Sequence, residues 1–232
     1  MATNILAIPA TRLTGLTAAQ VGAFDPTDFT LMTSTQLRAI STAGISAMTS
    51  NDFDALSAAQ LNALTTVQVQ AIVTAELAGL SAQAVAGLVS ADFGALSSAQ
   101  IGALGTNQVR AISTTVLSAL SGETLAQFGT AQTAALSTGQ MASLTTAQLA
   151  GLLPGQLASL GSTQLATLST DQLNSLTSTQ FQALGSAQIG ALSTDQVANL
   201  ETEDLAALSA AQIRGMTTAG LVALDSADLA AL

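Results

Sequence analysis

Residues 145–152 read TTAQLAGL, residues 169–176 read STDQLNSL, and residues 177–184 read TSTQFQAL. All three are versions of one octad, [S/T/G]-[S/T]-x-Q-[L/I/V/F]-x-[A/G]-L. Working outward in both directions, the same octad fills the chain, whose 232 residues divide into twenty-nine blocks of eight. Position 8 is Leu, Ile, Met or Phe in every block. Position 5 is a large apolar residue in every block but one, where Thr133 stands. No insertion shifts the register, and so strict a period is the signature of a repeat architecture. No stretch reads as a linker, so residues 1–232 are expected to form a single uninterrupted solenoid of twenty-nine octads.

The period decides which secondary structure the octad adopts. In one continuous helix, eight residues at about 100° each leave about 80° of drift per block, so positions 5 and 8 would spiral and form no seam. Coiled coils need a repeat of seven or eleven residues. A β-solenoid is the alternative. It would place positions 5 and 8 on opposite faces of a strand, and it would favour β-branched and aromatic residues. This chain uses Ala, Leu and Gln, which are good helix formers.

An all-α solenoid of very short capped helices, one per octad, fits best. Position 1, usually Ser or Thr, is the N-cap, whose hydroxyl can accept from an unpaired N–H of the first turn. Position 4 is Gln, Asp or Glu in most blocks and completes a capping box. The preceding position 8 and position 5 are N′ and N4 of a hydrophobic staple. Proline supports the register independently. Pro26 and Pro154 fall at position 2, the N1 site where a missing N–H costs nothing, and Pro9 falls at position 1, before the helix. Gly15, Gly79, Gly87, Gly151 and Gly215 fall at position 7, where a small residue lets the chain turn and the next helix pack closely.

A helix this short is marginal alone, so stability must be collective, as in other solenoids. Positions 5 and 8 are expected to line the core, and positions 2, 3 and 6 to face solvent. The number of octads per superhelical turn is not readable from the sequence.

Composition excludes several functions. The chain has 49% hydrophobic residues, 8% charged residues, no Cys, no His, and fourteen acids against four bases, for a net charge of −10. The bases are Arg12, Arg38, Arg110 and Arg214, so there is no Lys. Thiolate chemistry, imidazole catalysis and lysine Schiff bases are therefore absent. Four scattered cations do not supply the counterion release that nucleic-acid binding needs. Polar residues interrupt every octad, so no membrane insertion is expected. The N-terminal octad MATNILAI (1–8) lacks a basic region and already reads in register, so no cleaved signal peptide is expected either.

The remaining candidates read as structural. Asp25 with Asp28, Asp225 with Asp228, and Glu201 with Glu203 and Asp204 resemble calcium-ligand clusters, since calcium takes six to eight oxygens. They coincide with cap positions, where acids complement the helix dipole, and are read as caps. Asp52 and Asp54, flanking Phe53, are read the same way. Arg38, Arg110 and Arg214 all sit at position 6 and are read as solvated. Phe29, Phe53, Phe93 and Phe181 at position 5, and Phe24 and Phe128 at position 8, are read as core. Thr133 is expected to back-bond to a helix carbonyl or to mark a local irregularity. A regular hydroxyl array at positions 1 and 2 could face an ordered lattice, but its hydroxyls are read as spent on caps. No catalytic, cofactor-binding or metal residue is assigned, no cofactor is expected, and the chain is read as no enzyme.

The octads STxQLxAL and TTAQLAGL resemble short tandem repeats of large bacterial surface or secreted proteins of the adhesion-related kind, along the whole chain. The resemblance implies an extracellular or cell-surface scaffold without catalytic residues. The expected function is a structural one: a self-assembling filament subunit or the stalk of a surface structure. The alternative is a solenoid binding module for a protein or glycan, with the acid-rich stretch from Glu201 to Asp228 as its one candidate patch. The first and last octads, MATNILAI and DSADLAAL (225–232), stay in consensus, whereas solenoids normally end in polar capping repeats. The expected partner is therefore a second copy, head to tail, or neighbouring repeats of a longer chain.

Overall fold

The computed structural model describes residues 5–232, without the side chain of Leu6; most of octad MATNILAI, and with it the reading of a missing signal peptide, lies outside or at the edge of the described residues. One 3-10 turn at Ile5–Ala7 is followed by twenty-eight α-helices, from α1 (Ala10–Leu13) to α28 (Ser226–Ala231), and no strand occurs among the described residues. The fold is the all-α solenoid of very short helices, and the β-solenoid alternative is set aside. The chain forms two compact units, Met1–Val116 and Leu117–Leu232.

Most octads share one local geometry. In α18 (Thr146–Ala150) the N-cap Thr145 is extended (φ −75, ψ 159), and its hydroxyl accepts from the N–H of Gln148 at 3.2 Å. The Gln148 side chain accepts in turn from the Thr145 N–H at 2.8 Å, completing the box. Where position 1 carries no hydroxyl, the glutamine half survives alone: the Gly161 N–H donates to Gln164 Oε1 at 2.7 Å. Pro26 and Pro154 are the first helical residues of α3 (Pro26–Leu31) and α19 (Pro154–Ala158), and Pro9 is the N-cap of α1.

The helices end without a left-handed residue. No described residue has a positive φ, glycines included. After α22 (Ser178–Ala183), Leu184 (φ −69, ψ 141) and Gly185 (φ −74, ψ 154) are both extended and lead straight into α23 (Ser186–Ile189). Position-7 glycine is thus not needed for turning. Its use is close packing, at 29 residues' separation. A Cβ on Gly215 would come within 2.5 Å of the Ser186 carbonyl oxygen. A Cβ on Gly190 would overlap the carbonyl oxygen of Gly215.

In the first unit, α1 packs on α4 (Ser34–Ala39), α3 on α6 (Ser50–Asp54), and α10 (Ala82–Ala86) on α13 (Thr106–Ala111). In the second, α16 (Thr130–Ala135) packs on α19, α24 (Thr194–Ala198) on α27 (Thr218–Ala223), and α25 (Thr202–Ala206) on α28. Partners are thus three octads apart. Positions 5 and 8 form the core of both units. Phe29, Phe53, Phe93 and Phe181 are fully buried, and Phe128 nearly so. Phe24 departs from its core reading. It is half-buried, and its ring meets Phe29 edge-on at 5.9 Å. That pair is the N′–N4 staple of α3 seen directly.

Candidate functional site

The polar side chain that links octads to one another is the one at position 4. Gln180 is 2% exposed. Its Oε1 accepts from the Thr177 N–H at 2.7 Å, and its Nε2 donates backwards to the carbonyls of Leu149 at 3.0 Å and Leu152 at 2.6 Å. Those carbonyls lie 31 and 28 residues earlier, at positions 5 and 8 of the fourth octad back. Both lie at the C-terminal end of α18, where Leu149 also accepts from the Leu152 N–H at 3.1 Å and Leu152 from no backbone N–H. One amide therefore caps the start of its own helix and the end of another. Its acceptor and both donor hydrogens are engaged, which is what burial of a primary amide requires.

The same bond recurs in both units. In the first, Gln60 donates to Phe29 and Met32, both at 2.8 Å, and Gln108 to Leu77 and Leu80 at 2.9 and 2.8 Å. In the second, every octad from Gln148 to Gln196 carries glutamine at position 4, and each reaches the carbonyl 28 residues before it. Helices pack three octads apart while glutamines bridge four. Within each unit a superhelical turn therefore holds between three and four octads.

Breaks in this ladder are met locally. From Gln36 on, where a fourth octad back exists, position 4 in the first unit is Gly44, Asp52, Glu76, Ala84, Asp92 and Val116 at six octads. Ala84 offers no acceptor to the Ser81 N–H, and Asp54 supplies one from four octads earlier, at 2.8 and 3.1 Å. Glu76 likewise accepts from the Ser50 N–H at 2.6 Å. Against the expectation of a cap on its own helix, Asp54 caps a helix in the next turn, because position 6 faces that turn.

The other acids sort as follows. The N–H groups of Asp25 and Thr49 donate to Asp28 and Asp52, at 3.1 and 2.8 Å. Asp225 accepts from the N–H groups of Ala227 and Asp228 at 2.7 and 2.9 Å, and Asp228 accepts from the Asp225 N–H at 3.2 Å. Octad 201–208 contradicts the capping reading. The side chain of Glu201, the N-cap of α25, makes no cap bond, and the buried Oδ2 of Asp204 has no partner. Among the described residues no group of three or more acids converges as a metal site.

Arg38 also departs from its reading. It is exposed, yet its Nε donates to the Ala63 carbonyl at 2.7 Å, 25 residues on. Asn174 Nδ2 makes the equivalent bond to Asn199 at 2.8 Å. Position 6 thus faces position 7 of the third octad on. Thr133 is 1% exposed, and its hydroxyl donates to the Gly129 carbonyl at 3.1 Å, the expected back-bond. Gln156 Nε2 also donates to that hydroxyl, at 3.4 Å.

Two faces stand out because the interior pattern is incomplete on them. At one, the position-8 residues Ile8, Leu16 and Phe24 are only half-buried and line a groove of about 340 Å³ with Gln20 and Ala23. Gln20 is exposed; its Oε1 caps Thr17 at 2.9 Å, but its Nε2 reaches no carbonyl. At the other, the position-5 residues Ile213 and Leu221 are half-buried and Leu229 is 55% exposed. Among the described residues no helix is long and apolar enough to cross a membrane.

No curated protein matches the chain in sequence. A family model for the ALTTAQ repeat matches residues 45–82, 85–122, 173–200 and 197–232. Those segments cover more than half of the chain, so the chain belongs to the ALTTAQ repeat family.

Proposed function

We propose that this chain is a structural element, a filament subunit or stalk, that associates end to end with further octads of its own kind. The observation that carries the reading is the pair of incomplete faces. One presents a position-8 row, Ile8, Leu16 and Phe24, beside a glutamine amide without carbonyl partners. The other presents a position-5 row, Ile213, Leu221 and Leu229. Inside each unit such rows are covered by other octads, so each face fits a further octad array, from a second copy or from adjoining repeats. A heterologous contact that does not close on itself propagates into filaments.

The family resemblance supports an extracellular or cell-surface setting for such an element. No catalytic role is part of the reading, because the chain holds no His, Cys or Lys and the described residues place no acid–base pair in a pocket. Negative-stain electron microscopy and sedimentation velocity across a wide concentration range test the association. Concentration-dependent elongated particles are expected, and they should shorten when Leu16→Glu and Leu221→Glu are introduced. Monodisperse particles at high concentration in both chains would overturn it.

A further inference from the structure

Asp204 stands apart among the position-4 residues. Asp28, Asp52, Asp92 and Asp228 occupy the same octad position, and each accepts from its own N-cap N–H. Asp204 does not. It is 5% exposed, its Oδ2 has no hydrogen-bond partner, and the side chain of its N-cap, Glu201, makes no cap bond. By register, the carbonyls that a glutamine here would bridge are those of Leu173 and Leu176. A carboxylate has no hydrogen to donate to either.

The surroundings offer no compensation. On α25 itself, Glu201 and Glu203 flank Asp204. The packed helix α28 brings Asp225 and Asp228, and α22, packed on α25 as well, brings no titratable group. Asp171 on α21 (Thr170–Asn174) and Asp195 on α24 are exposed acids of nearby octads. The single cation of residues 117–232, Arg214, is not among the groups that act on Asp204. A buried, unpaired charge among like charges is costly, whereas the neutral acid is not and carries a hydrogen to donate.

We propose that residues 201–232 form a pH-sensitive segment, closed on the second unit when Asp204 is protonated and locally opened when Asp204 ionises. Burial, then Glu201 and Glu203, push the Asp204 pKa from 3.8 up to about 6. The sign follows from linkage. A carboxyl that binds its proton more tightly when closed favours the closed state fully below its ordinary pKa, and that favour is lost as pH rises through the raised value. With those two values, the opening equilibrium should rise roughly tenfold between about pH 5 and about pH 7.5.

Hydrogen exchange of the full chain, corrected for intrinsic rates, tests this at the two pH values. Peptides within 201–232 should lose roughly tenfold in protection at the higher pH, and peptides within 145–192 should not. Asp204→Asn should remove the difference, and Asp204→Gln should remove it and raise protection at both pH values. An unchanged pH response in Asp204→Asn would overturn the proposal. Should that variant not fold, the ¹³C carboxyl titration of Asp204 in the unaltered chain decides alone. A midpoint near 6 supports the segment, and one in the ordinary carboxylate range overturns it.

Discussion

The Nε2 of Gln180 donates to the carbonyl of Leu152, 28 residues earlier, at 2.6 Å. In this bond the repeat's local signal becomes its long-range one. The glutamine that closes a capping box also ties its octad to the fourth octad back. Each glutamine of the ladder therefore serves two helix ends, and a substitution there should cost more than the loss of one cap.

Gln180→Ala should destabilise the second unit by about 2 to 4 kcal/mol, the sum of a lost cap bond and the buried Leu152 carbonyl left without a donor. Gln180→Glu keeps an acceptor for Thr177 but loses the donor, and should fall between alanine and the unaltered chain at low pH. Gln20→Ala is the control. Gln20 has the cap but no carbonyl partners, so its loss should stay near about 1 kcal/mol. Urea unfolding followed by circular dichroism ranks the three. Equal losses at Gln180 and Gln20 would refute the two-ended role.

Gly190 and Gly215 lie 25 residues apart, and the approach of their backbones leaves no room for a side chain. Gly190→Ala must push α23 from α26 (Ala210–Ile213), at a cost of about 1 to 3 kcal/mol typical of overpacking. A Cβ on Gly94 meets nothing within 4 Å, and Gly94→Ala in α11 (Ser90–Ala95) should stabilise by about 0.5 to 1 kcal/mol. Thermal melts of the two variants should therefore move in opposite directions.

Asp92 gives a pH prediction in the first unit. It is 4% exposed, and burial raises its pKa above 3.8 despite the hydrogen bond from the Val89 N–H, which lowers it. Its contribution is present in full below the ordinary carboxylate range and is lost as pH rises through its raised value. Asp92→Gln removes that dependence and adds a donor in register with the carbonyls of Leu61 and Leu64. The variant should gain about 1 to 2 kcal/mol at neutral pH. Denaturant midpoints measured at acid and neutral pH check both halves; a variant that is less stable at neutral pH would contradict the register.

The staple between Phe24 and Phe29 predicts an unequal pair. Phe29 is fully buried, and Phe29→Ala should cost about 3 to 5 kcal/mol. Phe24 is half-buried, and Phe24→Ala should cost clearly less, near the edge-on aromatic contribution of about 0.5 to 1.5 kcal/mol plus partial burial. A double-mutant cycle measures their coupling. Strict additivity would mean that the two rings stabilise α3 independently.

The octad is written in residues no more than eight positions apart. The strict spacing of Leu152 after Leu149, the hydroxyl of Thr145 three residues before Gln148, and Pro154 at the first helical position each act within eight residues. Local sterics and capping suffice to define such a unit, so helix limits and core positions were legible. The second task of position 4 was not. Gln148 reads as a cap from its neighbours alone, and nothing local tells that its amide nitrogen meets Leu117 and Leu120. That meeting depends on the superhelical pitch, which emerges only when helices three octads apart pack and carbonyls four octads back come within reach. The same pitch explains why Arg38 bonds to Ala63 rather than to water alone, why Gly190 needs to be small, and why Asp54 caps Ser81. Backbone dihedrals repeat from octad to octad, but small errors in them accumulate over 28 residues. The pitch is therefore decided by side-chain packing and carbonyl satisfaction between turns, which only the tertiary structure holds.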